Sequence, residues 1–460
     1  MHAVIRPGTP IAGETRVPGD KSIAHRWLIL AATAEGTSTI RGLPRALDVR
    51  STARCLDAIG GDEREALGFW ADNPRANPED HGFTWDSKSG ENDNTDLVIE
   101  GEGWAGLQAP NAPLNCENSG TTMRLLMGAL AGTDFNSTLV GDEALTLRPM
   151  ERVAEPLRLL GADIDTDEGH APVRVAGTPL KGATIDLQTP SSQVKSALLL
   201  AGLQAAGTTR VIQRTGTRDH TERALIALGA PVEIADHGVT VSPFQHAGFD
   251  GDIPGDPSSA LFLVAAAALT GGELSVSGVG LNESRIGFLS VLDRLGVIVK
   301  QRPESAPALR LGEPAGNLDV NSKATIRSVT VAPDEIPGII DDILMLAVVS
   351  AFAPAGAESR FEGAGELRLK ESDRLAGAVA GIRGLGGRAD LEGDTLIVHG
   401  GGLDGGVADA MRDHRLAMAF AVGALAARRE SRIDGIEWAD VSFPGFIPAI
   451  RFLGAEIKEG

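Results

Sequence analysis

One phrase returns six times in these 460 residues. It is an apolar residue, a few others, then leucine or isoleucine, glycine and a small residue, followed by a short strand-like run. It stands at Leu56–Gly61, Leu157–Ala162, Leu225–Ala230, Leu292–Val297, Ile382–Gly387 and Ile450–Ala455. A glycine there suits the left-handed cap at which a helix stops before the chain turns into a strand. Three of the five intervals are roughly 70 residues and the others longer, and a recurring period of that size marks repeated supersecondary units. A polar–apolar alternation, the mark of a half-buried strand, precedes each helix. These strands are expected at Thr37–Leu43, Asn136–Gly141, Thr208–Gln213, Glu273–Val279, Glu358–Gly363 and Ser431–Ile436. Six strand-and-helix units of about 75 residues therefore fill the chain, an α/β architecture too long for one core. The longest interval contains Asp62–Asp96, polar and rich in turn formers, which reads as a surface insertion. Gln301–Gly316 is a smaller candidate of the same kind.

The net charge of −20 argues against nucleic acid or an anionic membrane as the main partner. An acidic chain that binds anions must gather its positive charge locally, so the positions of lysine and arginine carry information. Cys55 and Cys116 make neither a disulfide framework nor a metal site, which suits a reducing compartment. The apolar runs Leu261–Leu269 and Ile343–Ala353 are too short to span a bilayer, and no secretory signal opens the chain. A cytoplasmic location, with no membrane partner, is the expectation.

The cations gather at the mouths of apolar helices. Pro18-Gly19-Asp20 is a turn in which Asp20 can cap a helix entered at Lys21, with Ser22 and Arg26 about one turn apart. Free N–H groups and the dipole favour an anion there. Asn118–Arg124 repeats the arrangement with Gly120, and Arg148 precedes a proline able to open the next helix. Ser191, Ser192, Gln193 and Lys195 enter another, and Thr217–Glu222 opens the helix before Gly229. Asp341 and Asp342 precede Ile343–Ala353, where a cap with a dipole partner is one reading and proton transfer the other. Leu367–Arg374 mixes both charges, as solvated helix faces do, and Arg412–Arg415 repeats the helix-mouth pattern. Each stretch alone reads equally as a capped surface helix. Together they describe a pocket for a multiply anionic small substrate, with carboxylates free for proton transfer. No phosphate-binding nucleotide loop, dinucleotide fingerprint or histidine-rich metal pattern is present.

The ordered phrases Pro-Gly-Asp-Lys-Ser-Ile-x-His-Arg, Asn-Ser-Gly-Thr-Thr-x-Arg, Arg-Pro-Met, Ser-x-Gln-Val-Lys-Ser-Ala, Arg-Asp-His-Thr-Glu, Lys-Glu-Ser-Asp-Arg and Asp-His-Arg-x-Ala-Met resemble the 5-enolpyruvylshikimate-3-phosphate synthase family. The resemblance spans nearly all of the chain except 62–96. It implies a two-domain, inside-out α/β barrel of six βαβαββ repeats, three per domain, with the active site in the cleft between them. The expected domains are 1–19 plus 255–460, and 20–254.

The implied reaction moves the enolpyruvyl group of phosphoenolpyruvate to the 5-hydroxyl of shikimate 3-phosphate, without metal or organic cofactor. It passes through a tetrahedral adduct and releases phosphate. The resemblance assigns Lys21, Ser22, Arg26, Ser191, Ser192, Gln193, Asp341 and Lys370 to shikimate 3-phosphate. It assigns Lys21, Gly120, Arg124, Arg148, Gln193, Lys195, Arg374 and Arg415 to phosphoenolpyruvate. Asp341, Glu371 and Lys21 are the implied catalytic residues, Asp341 nearest the attacking hydroxyl and Glu371 nearest the methylene carbon. The two substrates are the expected partners, and the expected assembly is a monomer.

The chain departs from the common family pattern at Ala24, at Leu125 and at Val441, where many members carry a lysine. Lys195 is expected to supply that missing charge. The chain has no tyrosine, and His220 is the candidate to replace one that contacts shikimate. Two rivals stand beside this reading. One is the sister transferase acting on UDP-N-acetylglucosamine, for which Cys116 would be the cysteine to consider. The other is a non-catalytic scaffold that binds phosphorylated metabolites.

Overall fold

The computed structural model of the chain describes residues 1–60, 95–235, 237–305, 310–321 and 324–460. All six expected strands form, within two residues of the expected ends. Five of the repeated glycines, Gly161, Gly229, Gly296, Gly386 and Gly454, take φ between +79° and +112°, a region that a Cβ disfavours. Of the expected insertion, residues 62–94 lie outside the described residues, while Thr95 and Asp96 already belong to the strand Thr95–Glu102. The segment at 301–316 is not an irregular insertion at its ends. Lys300–Pro303 and Ala315–Val320 pair antiparallel.

One unit displays the pattern. Strand Thr184–Asp186 runs parallel to Thr209–Ile212, which pairs antiparallel with Gly238–Val241, itself paired with Val232–Ala235. The same order, two parallel strands and then a hairpin, recurs in the sheets at 114–176 and 330–399. Two units exchange a strand. Gly13–Arg16 runs parallel to Leu274–Gly280, and Asp250–Asp252 runs parallel to Glu35–Leu43. The N-terminal strand His2–Arg6 closes another sheet between Ser431–Asp434 and Glu456–Glu459.

Ten helices position the site: α1 (Lys21–Ala32), α2 (Leu47–Asp57), α3 (Gly120–Leu130), α4 (Glu151–Arg158), α5 (Ser192–Gly202), α6 (His220–Ala227), α7 (Pro257–Thr270), α8 (Ile343–Ser350), α9 (Arg374–Gly384) and α10 (His414–Leu425). Every residue of α8 and α10 is buried, and α7 is buried up to its last residue. A helix apolar on all sides must lie inside its body. These three pack together, and α1, α3 and α5 form a second inner group in which α3 touches both neighbours. Buried apolar side chains fall into two separate clusters. One is drawn from residues 3–17 and 260–457, the other from 23–253 with Leu311. Leu311 therefore reaches from one body into the core of the other.

Close approach of α3 to α5 depends on Gly128, where a Cβ would run into the Ala197 backbone. A chain of hydroxyls then locks α1, α2 and α3 together. His25 Nδ1 lies 2.6 Å from Thr52 Oγ1, and Thr52 Oγ1 lies 2.6 Å from Thr122 Oγ1. The Thr122 hydroxyl donates to Ser119 Oγ at 2.7 Å, the same oxygen that caps α3. Burial drives the His25 pKa down from 6.5 to about 3, so the imidazole is neutral in the fold.

Two outcomes are expected. Gly128→Ala costs about 1–3 kcal/mol of stability, read as a lower urea midpoint, because α3 must move off α5. His25 binds a proton in the unfolded chain below about pH 6.5 but not in the fold, so its contribution to stability is lost as pH falls from 6.5 toward 3. Urea titrations between pH 6 and 4 should give a shallower pH dependence for His25→Gln than for the parent, by up to about 1.4 kcal/mol per pH unit.

Candidate active site

A cavity of about 260 Å³ lies where the two bodies meet. Residues at or just before the N-termini of α1–α6 and α8–α10 line it. Nine lysines and arginines but only four carboxylates form its wall, a local excess of positive charge in a chain of net −20. Lys21, Ser22 and Arg26 come from α1, Gly120 and Arg124 from α3, and Ser191, Ser192 and Gln193 from the start of α5. Arg148 precedes α4. Asp341 precedes α8, Lys370 and Glu371 precede α9, and Arg374 and Arg415 stand in the first turns of α9 and α10. Asp20, Ser119 and Ser191 cap α1, α3 and α5 with their side chains.

Two carboxylates sit among the cations. Burial pushes the Asp341 carboxyl up, but Arg218, Lys370, Arg415 and Arg374 outweigh it and hold it well below 3.8. Arg218 makes the tightest pair with it. Arg374 Nη1 lies 3.5 Å and Lys370 Nζ 3.8 Å from its Oδ1, and Arg415 Nη1 donates to its backbone carbonyl at 2.7 Å. Glu371 is likewise opposed by burial and held ionised by Arg374 at 2.6 Å and Arg148 at 3.9 Å. Asp413, fully buried behind the site, anchors Arg374 Nε at 2.7 Å. Asp342 is neither a second wall residue nor a side-chain cap. It turns inward to accept from Ser258 Oγ at 2.6 Å, and burial raises its pKa to about 6.

The arginines of the opposite wall have softer partners. Arg124 Nη1 donates to Gln193 Oε1 at 2.7 Å and Nη2 to the Pro149 carbonyl at 3.3 Å. Burial, with Arg152 and Arg148 nearby, lowers its pKa to about 10 and leaves it charged at neutral pH. Arg148 Nη2 donates to Asn118 Oδ1 at 2.7 Å. A Cβ on Gly120 would stand 3.2 Å from both guanidinium groups, so glycine keeps this corner open. Lys21 Nζ is held by Asp48 Oδ2 at 2.8 Å. Arg26 is held by Thr221, the Ser22 carbonyl and Ser196, at 2.7–2.9 Å.

Three expectations need correction. Lys195 is not on the cavity wall. It lies a full turn into α5, and its Nζ is buried against Glu222 Oε1 at 2.5 Å. It therefore does not supply the positive charge missing at Val441. His220 is also absent from the wall, because Glu313 draws its Nδ1 away to 2.8 Å. The helix after Arg148 begins at Glu151, so Pro149 precedes it and lines the cavity instead.

Sequence reasoning also missed wall residues. Arg218 bridges Asp341 of one body and Ser22 of the other, and Asp48, Arg152, Glu366 and His414 also line the cavity. Arg218 and His414 stood inside phrases already noticed at helix mouths. Asp48 had no motif around it.

A family model described as EPSP synthase (3-phosphoshikimate 1-carboxyvinyltransferase) matches residues 5–76 and 87–450. Its gap falls inside the expected insertion. The chain is 40% identical over 453 residues to a 3-phosphoshikimate 1-carboxyvinyltransferase of Acidithiobacillus ferrooxidans, covering 97% of this chain and 96% of that one. It is 41% identical over 470 residues to one of Acidiphilium cryptum, covering 98% and 97%. A solved EPSP synthase of Acinetobacter baumannii superposes over 100% of both chains with a TM-score of 0.82 at 33% identity, as the expected two-domain α/β fold requires. With its motifs, its fold and its whole length in agreement, the chain belongs to the EPSP synthase (3-phosphoshikimate 1-carboxyvinyltransferase) family.

Proposed function

We propose that this chain moves the enolpyruvyl group of phosphoenolpyruvate onto the 5-hydroxyl of shikimate 3-phosphate and releases phosphate. The observation that carries this reading is one cavity in which nine cations surround two half-buried carboxylates held ionised. Two substrates with a phosphate and a carboxylate apiece match that charge, and arginine forks suit such oxyanions. Carbon 3 of phosphoenolpyruvate takes a proton, the hydroxyl adds to carbon 2, and the adduct then returns a proton and expels phosphate.

In this reading Ser191, Ser192, Gln193, Lys21, Ser22, Arg26 and Lys370 hold shikimate 3-phosphate. Gly120, Arg124, Arg148, Gln193, Arg374, Arg415 and Lys21 surround phosphoenolpyruvate. Asp341 handles the hydroxyl proton and Glu371 the proton of the methylene carbon. The domains of this reading are 1–19 plus 255–460 and 20–254; what supports them is that the two buried apolar clusters, Leu311 apart, are drawn from those same ranges. A monomer in the cytoplasm completes the proposal. No helix among the described residues is long and apolar enough to cross a membrane. The UDP-sugar rival loses its cysteine, because Cys116 is fully buried.

The test is phosphate release on mixing pure protein with both substrates, each omitted in turn. Release that needs both is the expected result. Release with either alone, or none with both bound, sinks the reading. Asp341→Asn and Glu371→Gln should each lower kcat by about 10²–10⁴-fold while shikimate 3-phosphate still binds. A non-catalytic scaffold would have no turnover to lose.

A further inference from the structure

The turn that opens α1 is duplicated at α7: Val17-Pro18-Gly19-Asp20 and Ile253-Pro254-Gly255-Asp256. The two copies are where the chain crosses between the bodies, and they touch. Gly19 and Gly255 form an antiparallel bridge. Asp20 N–H donates to the Pro254 carbonyl and Asp256 N–H to that of Pro18, both at 2.8 Å. A Cβ on Gly255 would come 2.8 Å from Val17, so glycine permits the contact.

Both aspartates cap their helices. Asp20 Oδ1 accepts from the N–H groups of Ser22 at 2.7 Å and Ile23 at 3.2 Å, and Asp256 Oδ1 from that of Ser258 at 2.8 Å. Serine suffices for this at α3 and α5, through Ser119 and Ser191. An aspartate adds a charge and a second oxygen: Asp20 uses both, and Asp256 uses its charge through the same Oδ1 that caps α7. Arg285 Nη1 pairs with Asp20 Oδ2, and Nη2 pairs with Asp256 Oδ1 at 3.1 Å. All three residues are buried, Arg285 to 2% exposure. Burying such an ion triad for stability alone is a poor device, since apolar side chains usually do as well. Its fork instead spans two elements whose relative placement decides something.

What it decides is the cleft. Asp20 opens the helix that carries Lys21, Ser22 and Arg26. On the other side, Arg285 Nη2 also lies 3.3 Å from Ser258 Oγ, and that hydroxyl donates to Asp342, the neighbour of Asp341. We infer that Arg285 is a positioning residue: it clamps the paired crossovers, the joint on which the two bodies meet, and so sets how α1 approaches Asp341. The role given to Asp341 rests on the proposed reaction; the clamp itself rests on the crossover geometry.

Arg285→Ala would strand two buried carboxylates and could unfold the chain, so two milder variants test the clamp. Arg285→Lys keeps the charge but offers one ammonium that cannot fork. Asp256→Ser keeps the cap and removes one anchor. For each, kcat and both KM values, melting temperature and small-angle scattering of the unliganded protein would be measured. We expect kcat to fall about tenfold or more, as misplacement does, while KM stays within about threefold. The radius of gyration should rise with little change in melting temperature. Unchanged kcat and radius overturn the clamp. So does a fall in kcat that tracks a fall in melting temperature at constant radius, which marks a purely structural arginine. If the parent protein shows no turnover, the proposed reaction fails, and scattering alone decides the clamp: expansion supports it and an unchanged radius overturns it.

Discussion

Like charge in a confined space is the constraint on which the rest of this structure depends. Two unit charges 4 Å apart repel by about 4 kcal/mol at the effective dielectric near a protein surface. Nine cations around one small cavity would drive the two bodies apart unless each were answered. The answers come from the wall itself and from behind it. Asp48, on the wall, holds Lys21, and the buried Asp413 backs Arg374. Arg124 has only the neutral Gln193 amide and a carbonyl as hydrogen-bond partners, and burial beside Arg152 and Arg148 lowers its pKa. The corner around Gly120, where Arg124 and Arg148 approach each other, is therefore where an added anion relieves the most repulsion.

The same constraint ties the fold to the cleft. Inner helices end at the interface, so their N-termini add dipole to the cationic side chains. Arg218 of one body grips Asp341 of the other, and Arg148 and Arg152 face Glu371 and Glu366 across the gap. These pairs tie the two bodies together across the cavity. An anionic substrate competes with the carboxylates for the same arginines, so substrate exchanges one set of ion pairs for another.

Much of this was legible in the sequence, for local reasons. A glycine that must take positive φ at the end of a helix and a strand that must alternate leave marks within ten residues, so Gly229 or Thr209–Ile212 could be read directly. Helix mouths leave marks too, and Lys21, Arg124, Gln193 and Arg415 could be placed by them. What stayed hidden depends on which neighbour a side chain meets. Lys195 shares a helix with Ser191 and Ser192, but Glu222, on another helix, decides where its charge goes. The pairing of Gly13–Arg16 with Leu274–Gly280 joins segments so far apart in sequence that no local pattern encodes it. Asp48 lacked any motif because its role exists only once Lys21 is beside it.

Asp341 and Asp342 show how completely surroundings override adjacency. One faces four cations in the cleft and is held ionised. Its neighbour turns toward Ser258 in the protein interior and takes a proton near pH 6. A carboxylate held well below its ordinary pKa is always ready to accept a proton but is a weak base, since proton transfer is most effective when pKa approaches the working pH. In the proposed reaction the substrate resolves this. In that proposal its phosphate and carboxylate groups bind the arginines that depress Asp341 and Glu371 and screen those charges. Both carboxylates then shift upward, Asp341 toward a stronger base and Glu371 toward a form able to carry the proton that carbon 3 needs. The substrate's own charge thus brings the two groups toward their working state, and the site does so only when the anions that need the chemistry are present.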